Sequence, residues 1–384
     1  MENPTFSPER WNTLMAFSEQ QPTPHLVVDL QLIEQRYQEL RGAFPMAMPY
    51  YAVKANPHPE VLKRLHRLGS CFDIASIYEL DKLLGLGVEP ARISYGNTIK
   101  KPRDVAYAYG KGIRLFSSDS EADIRTLAEK APGSEVCVRI LTEGDQTADW
   151  PLSRKFGCHV DMAVELLCLA DELGLKAAGI CFHVGSQQRN IGAWDDAIAK
   201  VRVVCDRLAS QGITLSIINM GGGLPGTYTG KVHDVQTYGE SIQRFLNEDF
   251  GDELPRIIIE PGRSLVADAG ILASEVVLIS RKSRDALERW VFLDIGVFGG
   301  LIESLGEAIK YQLVSTRDGE TEDVILAGPT CDSMDILYER HKYALPKSLE
   351  RGDRLYWIST GAYTSSYSSV EFNGFPPLKT YVLE

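Results

Sequence analysis

MPYYAVKANPHPEVLKRLHRLGSCFDIASIYELDKLLGLG, residues 48–87, runs through one pattern twice. A short apolar, β-rich run at Met48–Val53 gives way to an amphipathic stretch at Glu60–Leu68. The order then recurs as Cys71–Ala75 followed by Ile77–Leu86. Apolar runs of strand length alternating with helical periodicity mark βα units around a parallel sheet.

The alternation continues outward to about residue 265. Further strands are expected at Arg92–Tyr95, Ile113–Phe116, Glu135–Ile140, Ala178–His183, Thr214–Asn219 and Arg256–Glu260, which makes eight. Helical patterns lie between them at Asp104–Tyr109, Ser120–Glu129, Ala163–Leu173, Trp194–Ser210 and Tyr238–Asn247. Eight such units predict a closed (β/α)8 TIM barrel. An open doubly wound sheet has similar local patterns, but no Gly-x-Gly-x-x-Gly follows an early strand.

After about residue 268 the helical rhythm largely stops. The apolar runs Ile271–Ser280, Trp290–Asp294, Val324–Ala327 and Leu355–Ser359 are separated by Gly, Asp and Pro, which reads as a C-terminal β domain. The expected division is a barrel over 28–267 and a β domain from 1–27 and 268–384. His25–Asp29 precedes the first barrel strand and belongs either to the second domain or to the link.

The 384 residues, 44% hydrophobic, suffice for a large barrel core and a smaller domain. A net charge of -12 argues against nucleic acid or anionic membrane as a partner and gives a mild bias toward small cations. The seven cysteines (71, 137, 158, 168, 181, 205, 331) are scattered, without metal-ligand spacing, so no metal is expected and a reducing cytoplasm fits. Met1-Glu2-Asn3-Pro4 opens no leader pattern, and no apolar run approaches the length of a membrane span.

In such a barrel the residues closing the strands face one mouth. Here they are Lys54, Asp73, Arg139, His183, the triplet Gly221-Gly222-Gly223, and Glu260. Any one of them reads as a capping or solvated residue. Six together are costly to bury unless they serve each other or a ligand. Lys54, held against apolar strand residues, would lose hydration and become a nucleophilic amine. The three glycines open backbone N–H groups to a phosphate, and Gly262-Arg263 adds a second backbone approach and a guanidinium. Ser186 adds a hydroxyl. Glu260, after Ile257-Ile258-Ile259, needs a positive partner, either a protonated ring nitrogen or Arg263 or Arg139. His183 would either be hydrogen-bonded in the core or stack on a flat ring.

Taken in order, Tyr51-Ala52-Val53-Lys54-Ala55-Asn56, Phe72-Asp73-Ile74-Ala75-Ser76, Phe182-His183-Val184-Gly185-Ser186, Gly221-Gly222-Gly223, Glu260-Pro261-Gly262-Arg263, Gly328-Pro329-Thr330-Cys331-Asp332 and Gly361-Ala362-Tyr363 resemble the fold type III pyridoxal phosphate decarboxylases, in particular the ornithine decarboxylases. The resemblance implies a barrel of the alanine racemase type followed by a β domain. It implies that Lys54 holds pyridoxal 5'-phosphate covalently, that Asp73 lies near it, that His183 stacks on its ring and that Glu260 binds the pyridine nitrogen. Ser186, Gly222, Gly223, Gly262, Arg263 and Tyr363 would hold the phosphate, with Arg139 beside the cofactor. Cys331 would protonate the substrate's α-carbon and Asp332 would pair with its distal ammonium. Both would reach the site from the partner subunit, so a homodimer with shared sites is implied. The implied activity is conversion of a small cationic diamino acid, ornithine first, to putrescine for polyamine biosynthesis.

Specificity is where the pattern departs. In eukaryotic ornithine decarboxylases an aspartate follows the segment matching Asp294-Ile295-Gly296-Val297-Phe298-Gly299-Gly300, and Glu307 falls there instead. Glu307, with Phe298, would line the distal end of the pocket, where its extra methylene either shortens the pocket or points elsewhere, and lysine competes with ornithine as substrate. Cys331-Asp332-Ser333 replaces the Cys-Glu-Ser of meso-diaminopimelate enzymes. Related racemases carry arginine where Glu260 stands, and a non-catalytic regulator resembling an antizyme inhibitor would not keep Lys54, Glu260 and Cys331 together.

Overall fold

The structure is a computed structural model and describes residues 5–143, 147–150, 155–251 and 253–384; the leader reading of Met1–Pro4 lies outside these. Two compact units emerge: Glu34–Pro225 with Val232–Ser264, and Met1–Ile33 with Gly226–Lys231 and Leu265–Glu384.

The first unit is a closed barrel of eight parallel strands: Ala47–Ala52, Cys71–Ile74, Ile93–Tyr95, Leu115–Ser118, Glu135–Arg139, Lys176–Cys181, Ile217–Asn219 and Arg256–Ile259. The last closes onto the first, with Ile257 opposite Ala47 and Ile259 opposite Pro49. Its interior is packed with Tyr50, Cys71, Leu115, Cys137, Ala178, Cys181, Ile217 and Ile258. Gly179 is obligatory here, because a Cβ on it would lie 2.1 Å from the Ile217 carbonyl on the neighbouring strand.

Helices return the chain between strands, and their starts are written locally. Pro59 opens helix Pro59–Arg67 and Pro102 opens Pro102–Gly110. Ser76 caps Ile77–Gly85 by accepting the Glu79 N–H, and Asp234 caps Val235–Phe250 through Thr237.

The second unit is mostly sheet. Its strands lie in the order Gln312–Ser315, Arg354–Ile358, Gly270–Ser280, Arg289–Leu293, Thr321–Ala327, Ile336–Pro346. His25–Asp29 belongs to this sheet, antiparallel to Gly270–Ser280 and parallel to Lys379–Leu383. Val28 and Asp29 therefore pair in the second sheet, and the second unit runs on through the first turn of helix Leu30–Ala43 to Ile33, against the expected division at residue 28. On the other side the change comes at Leu265 rather than 268.

Candidate active site

The barrel places its polar residues just beyond the ends of the hydrogen-bonded ladder. Lys54 sits in the short helix Val53–Ala55, one turn past the strand, and is exposed. The expected desolvation by apolar strand neighbours is corrected: an exposed ammonium keeps much of its hydration, and its surroundings are acidic. Its charge acts on Asp73, Glu79 and His183 alike, which sets all four groups at one mouth.

Asp73 is buried in strand Cys71–Ile74, opposite Ser94, whose hydroxyl donates to Oδ1 at 2.9 Å. Burial, reinforced by the charge of Glu260, raises its carboxyl well above the usual carboxylate range, while Lys54 opposes the shift. Gly96 makes room for it, since a Cβ there would lie 2.2 Å from Asp73 Oδ1.

His183 follows strand Lys176–Cys181. Burial, with the positive charges of Arg139, Lys54 and Arg263, holds its imidazole well below its ordinary value, so the ring is neutral at pH 7. Nδ1 accepts the Gly185 N–H at 3.2 Å, which leaves the ring proton on Nε2. Arg139 lies over the Phe156 ring, 4.9 Å from its centroid.

Glu260 comes from the end of the eighth strand. Its Oε1 accepts the side-chain amide of Asn219 at 2.6 Å, and Asn219 Oδ1 in turn accepts the Gly221 N–H at 3.0 Å. Sequence reasoning missed Asn219, although it ends the seventh strand immediately before the glycines. The glycine loop passes so close to its neighbours that no side chain fits. A Cβ on Gly222 would lie 2.8 Å from the Glu260 carbonyl and 3.8 Å from His183 Nε2, and one on Gly223, at φ +114°, 2.8 Å from the Gly185 carbonyl. Arg263 is 4% exposed, and its Nε and Nη2 donate to Ser186 Oγ at 3.2 and 3.0 Å. Pro261, next to Gly262, ties this corner to the first strand by accepting the Ala52 N–H.

The barrel thus collects an amine, a neutral flat imidazole, a carboxylate oriented by an amide, and a bare-backbone loop in the same unit as a buried guanidinium with a hydroxyl. This donor set fits pyridoxal phosphate, whose ring needs a flat partner and a group for its nitrogen and whose phosphate needs N–H, hydroxyl and guanidinium donors. Among the described residues no cluster of His, Cys, Asp and Glu is placed to hold a metal ion.

The other expected residues lie in the second unit. Cys331 is exposed, and its N–H donates to Asn373 Oδ1 at 2.8 Å; Asp332 Oδ1 accepts the Met334 N–H. Phe298 packs on Phe372, ring centroids 4.7 Å apart, beside a cleft of about 220 Å³ that Thr330 also lines. Tyr363, at φ +54°, packs edge-on to Tyr367. Glu307 has both carboxylate oxygens engaged. Its Oε1 accepts the N–H groups of Glu339 and Arg340 and its Oε2 that of His341, because strand Ile336–Pro346 is irregular there and leaves these donors to be satisfied. Asn219, Asn373 and Asp335 are the functional-site neighbours that the sequence did not single out.

Comparison with known proteins agrees with this geometry. Residues 30–267 match the family model for the pyridoxal binding domain of pyridoxal-dependent decarboxylases. A lysine/ornithine decarboxylase of Selenomonas ruminantium is 35% identical over 364 residues, covering 94% of this chain and 90% of the relative. Ornithine decarboxylase of Schizosaccharomyces pombe is 34% identical over 372 residues, covering 93% and 83%. A crystal structure of the Selenomonas ruminantium lysine decarboxylase with pyridoxal phosphate and cadaverine superposes with a TM-score of 0.88 at 33% identity, covering 100% of this chain and 96% of that one. The chain belongs to the pyridoxal-dependent decarboxylase family, and its cofactor is pyridoxal phosphate.

Proposed function

We propose that the chain decarboxylates L-ornithine to putrescine and carbon dioxide, with L-lysine as a second substrate giving cadaverine. The observation that carries this reading is Glu260 held by Asn219 at 2.6 Å. A carboxylate at this place would favour a protonated ring nitrogen in the cofactor, whereas the arginine of related racemases would leave it neutral. Pyridoxal phosphate, when bound, supplies an electron-withdrawing ring that takes up the electron pair left as carbon dioxide departs.

The residues divide the remaining work. Lys54 would be the amine that holds the cofactor's aldehyde, where the substrate's α-amine would compete for it. His183, neutral, offers a flat face without adding positive charge. Gly222, Gly223, Gly262, Ser186, Arg263 and Tyr363 hold the phosphate, and burial, reinforced by Arg139, keeps His183 uncharged. Cys331 returns a proton to the α-carbon, Asp332 pairs with the distal ammonium, and Phe298 walls the pocket. Cys331 and Asp332 act in the partner subunit's site, so the working form is a homodimer. The seven cysteines, free among the described residues, suit a reducing cytoplasm.

Lysine is kept because the engagement of both Glu307 oxygens by backbone N–H groups supports a pocket that this side chain does not shorten. The relatives' names include both substrates. The test is product identification after incubating cofactor-loaded protein with L-ornithine, L-lysine, L-arginine and meso-diaminopimelate, with carbon dioxide recorded alongside. Putrescine as the fastest product, followed by cadaverine, is the expected result. Agmatine or lysine as the main product overturns the substrate assignment, and no product from any substrate overturns the activity.

A further inference from the structure

Asp335 lies outside every role assigned so far, yet it is 3% exposed with its carboxylate fully engaged. Oδ1 accepts the Val297 N–H at 2.8 Å, and Oδ2 accepts the Thr330 N–H at 3.0 Å and the Thr330 hydroxyl at 2.7 Å. Its own backbone closes the same loop, because its N–H donates to the Asp332 carbonyl at 3.1 Å and its carbonyl accepts the Gly328 N–H at 2.8 Å. The chain leaves space for this carboxylate on two sides. A Cβ on Gly296 would lie 2.0 Å from Oδ1 and one on Gly328 2.3 Å from it.

A buried carboxylate is an expensive way to fill a turn, and an apolar residue packs such a space at lower cost. What the carboxylate adds is direction. One oxygen fixes the residue before Cys331 and the other fixes the residue before Phe298, so the two segments cannot slide past each other while both bonds hold. The Asn373 amide oxygen on the Cys331 N–H, with Phe372 against Phe298, closes the third side.

We infer that Asp335 is a positioning residue, which sets the Cys331 thiol and the Asp332 carboxylate in register with Phe298 so that the proton leaving Cys331 reaches the α-carbon. This inference rests on the proposed role of Cys331. A merely structural staple would alter stability and leave the fate of that proton unchanged. A positioning residue would change the fate itself: in some turnovers the proton would go to the cofactor's aldehyde carbon instead, so that carbon dioxide would be matched by an amino aldehyde and the cofactor's amine form in place of diamine.

The experiment uses the holoenzyme and two variants, Asp335→Asn and Thr330→Val; the second removes one bond to the clasp and leaves the buried carboxylate in place. Carbon dioxide and diamine are measured together, and hydrogen exchange is followed at the Val297 and Thr330 amides. The expected result is that both variants match the parent's cofactor absorbance before substrate is added, lose it during turnover, and exchange these amides about tenfold faster. Turnover to diamine should fall by up to about 10²-fold, as for a reacting group displaced by about 1 Å, and less than one diamine should form per carbon dioxide. One diamine per carbon dioxide in both variants, with turnover within about twofold of the parent, would reduce Asp335 to a staple and overturn the positioning role. Unchanged exchange would remove the clasp itself. If the parent enzyme forms no diamine from any substrate, the functional reading fails first and the positioning role falls with it.

Discussion

The side-chain amide of Asn219 donates to Glu260 Oε1 at 2.6 Å while its oxygen receives the Gly221 N–H at 3.0 Å. One residue therefore orients the carboxylate at one end of the site and the glycine loop beside it. The Gly221 link is local, two residues away, but the Glu260 link joins the ends of the paired seventh and eighth strands, 41 residues apart in the chain.

Asn219→Ala should lower kcat more than it weakens cofactor binding. A hydrogen bond to a charged group contributes about 1.5–3 kcal/mol, so a fall in kcat of about 10- to 100-fold is expected. Steady-state kinetics with titration of the cofactor's absorbance check this. Loss of cofactor with kcat per bound site intact would assign Asn219 to the loop and not to Glu260.

Most of the barrel was legible because its strands are buried on both faces and read as unbroken apolar runs, each closed by a polar residue. The residues proposed to do the chemistry sit one or two positions past the ladder: Lys54 beyond Ala52, His183 beyond Cys181, Glu260 beyond Ile259. Strand Ile336–Pro346 escaped notice because Glu339-Arg340-His341 interrupts its pattern at the irregularity that Glu307 satisfies. Helices Pro8–Glu19 and Leu30–Ala43 escaped as well, the first burying only Trp11, Leu14, Met15 and Ser18. Asp335 was hidden for a different reason: its three donors come from Val297 and Thr330, and no local pattern announces a carboxylate that binds another segment's backbone.

Acid should destabilise the second unit through His25. The ring is fully buried, bonded to Ser18 Oγ at 2.8 Å and to the Pro22 carbonyl at 2.9 Å. Burial lowers its pKa, with Arg354 and Lys379 adding to the effect and the Pro22 carbonyl opposing it. The folded-state value therefore lies below the unfolded one of about 6.5. Stability from the neutral ring is fully present above that pH and is lost as pH falls from 6.5 toward the folded value, at about 1.4 kcal/mol per unit of separation. Thermal unfolding from pH 7.5 to 5 should show the decline, and His25→Gln should flatten part of it. An identical slope in that variant would assign the decline to other groups, His58 and His183 foremost, which are shifted the same way.

Glu307 separates a structural role from a selective one. With three backbone N–H groups on its carboxylate and a left-handed φ of +60°, it holds the irregular part of strand Ile336–Pro346 in place. Glu307→Ala should cost about 2 kcal/mol of stability and leave the ratio of kcat/KM for ornithine and lysine within about twofold. Denaturation and paired kinetics decide it. A change of tenfold or more in that ratio, with stability untouched, would return Glu307 to the substrate pocket.

The proposed completion of each site by a second copy predicts complementation. The amine of Lys54 and the thiol of Cys331 reside in different compact units of the chain, and a dimer that shares its sites pairs one copy's barrel with the other copy's β domain. Lys54→Ala and Cys331→Ala should each be inactive alone. After mixing, half of randomly exchanged dimers are mixed, and each mixed dimer holds one intact site of two. Activity should therefore recover to about a quarter of the parent value. Subunit exchange is verified independently by native mass spectrometry of differently tagged copies. If mixed dimers form and stay inactive, Lys54 and Cys331 serve the same copy's site, and the homodimer loses its catalytic reason.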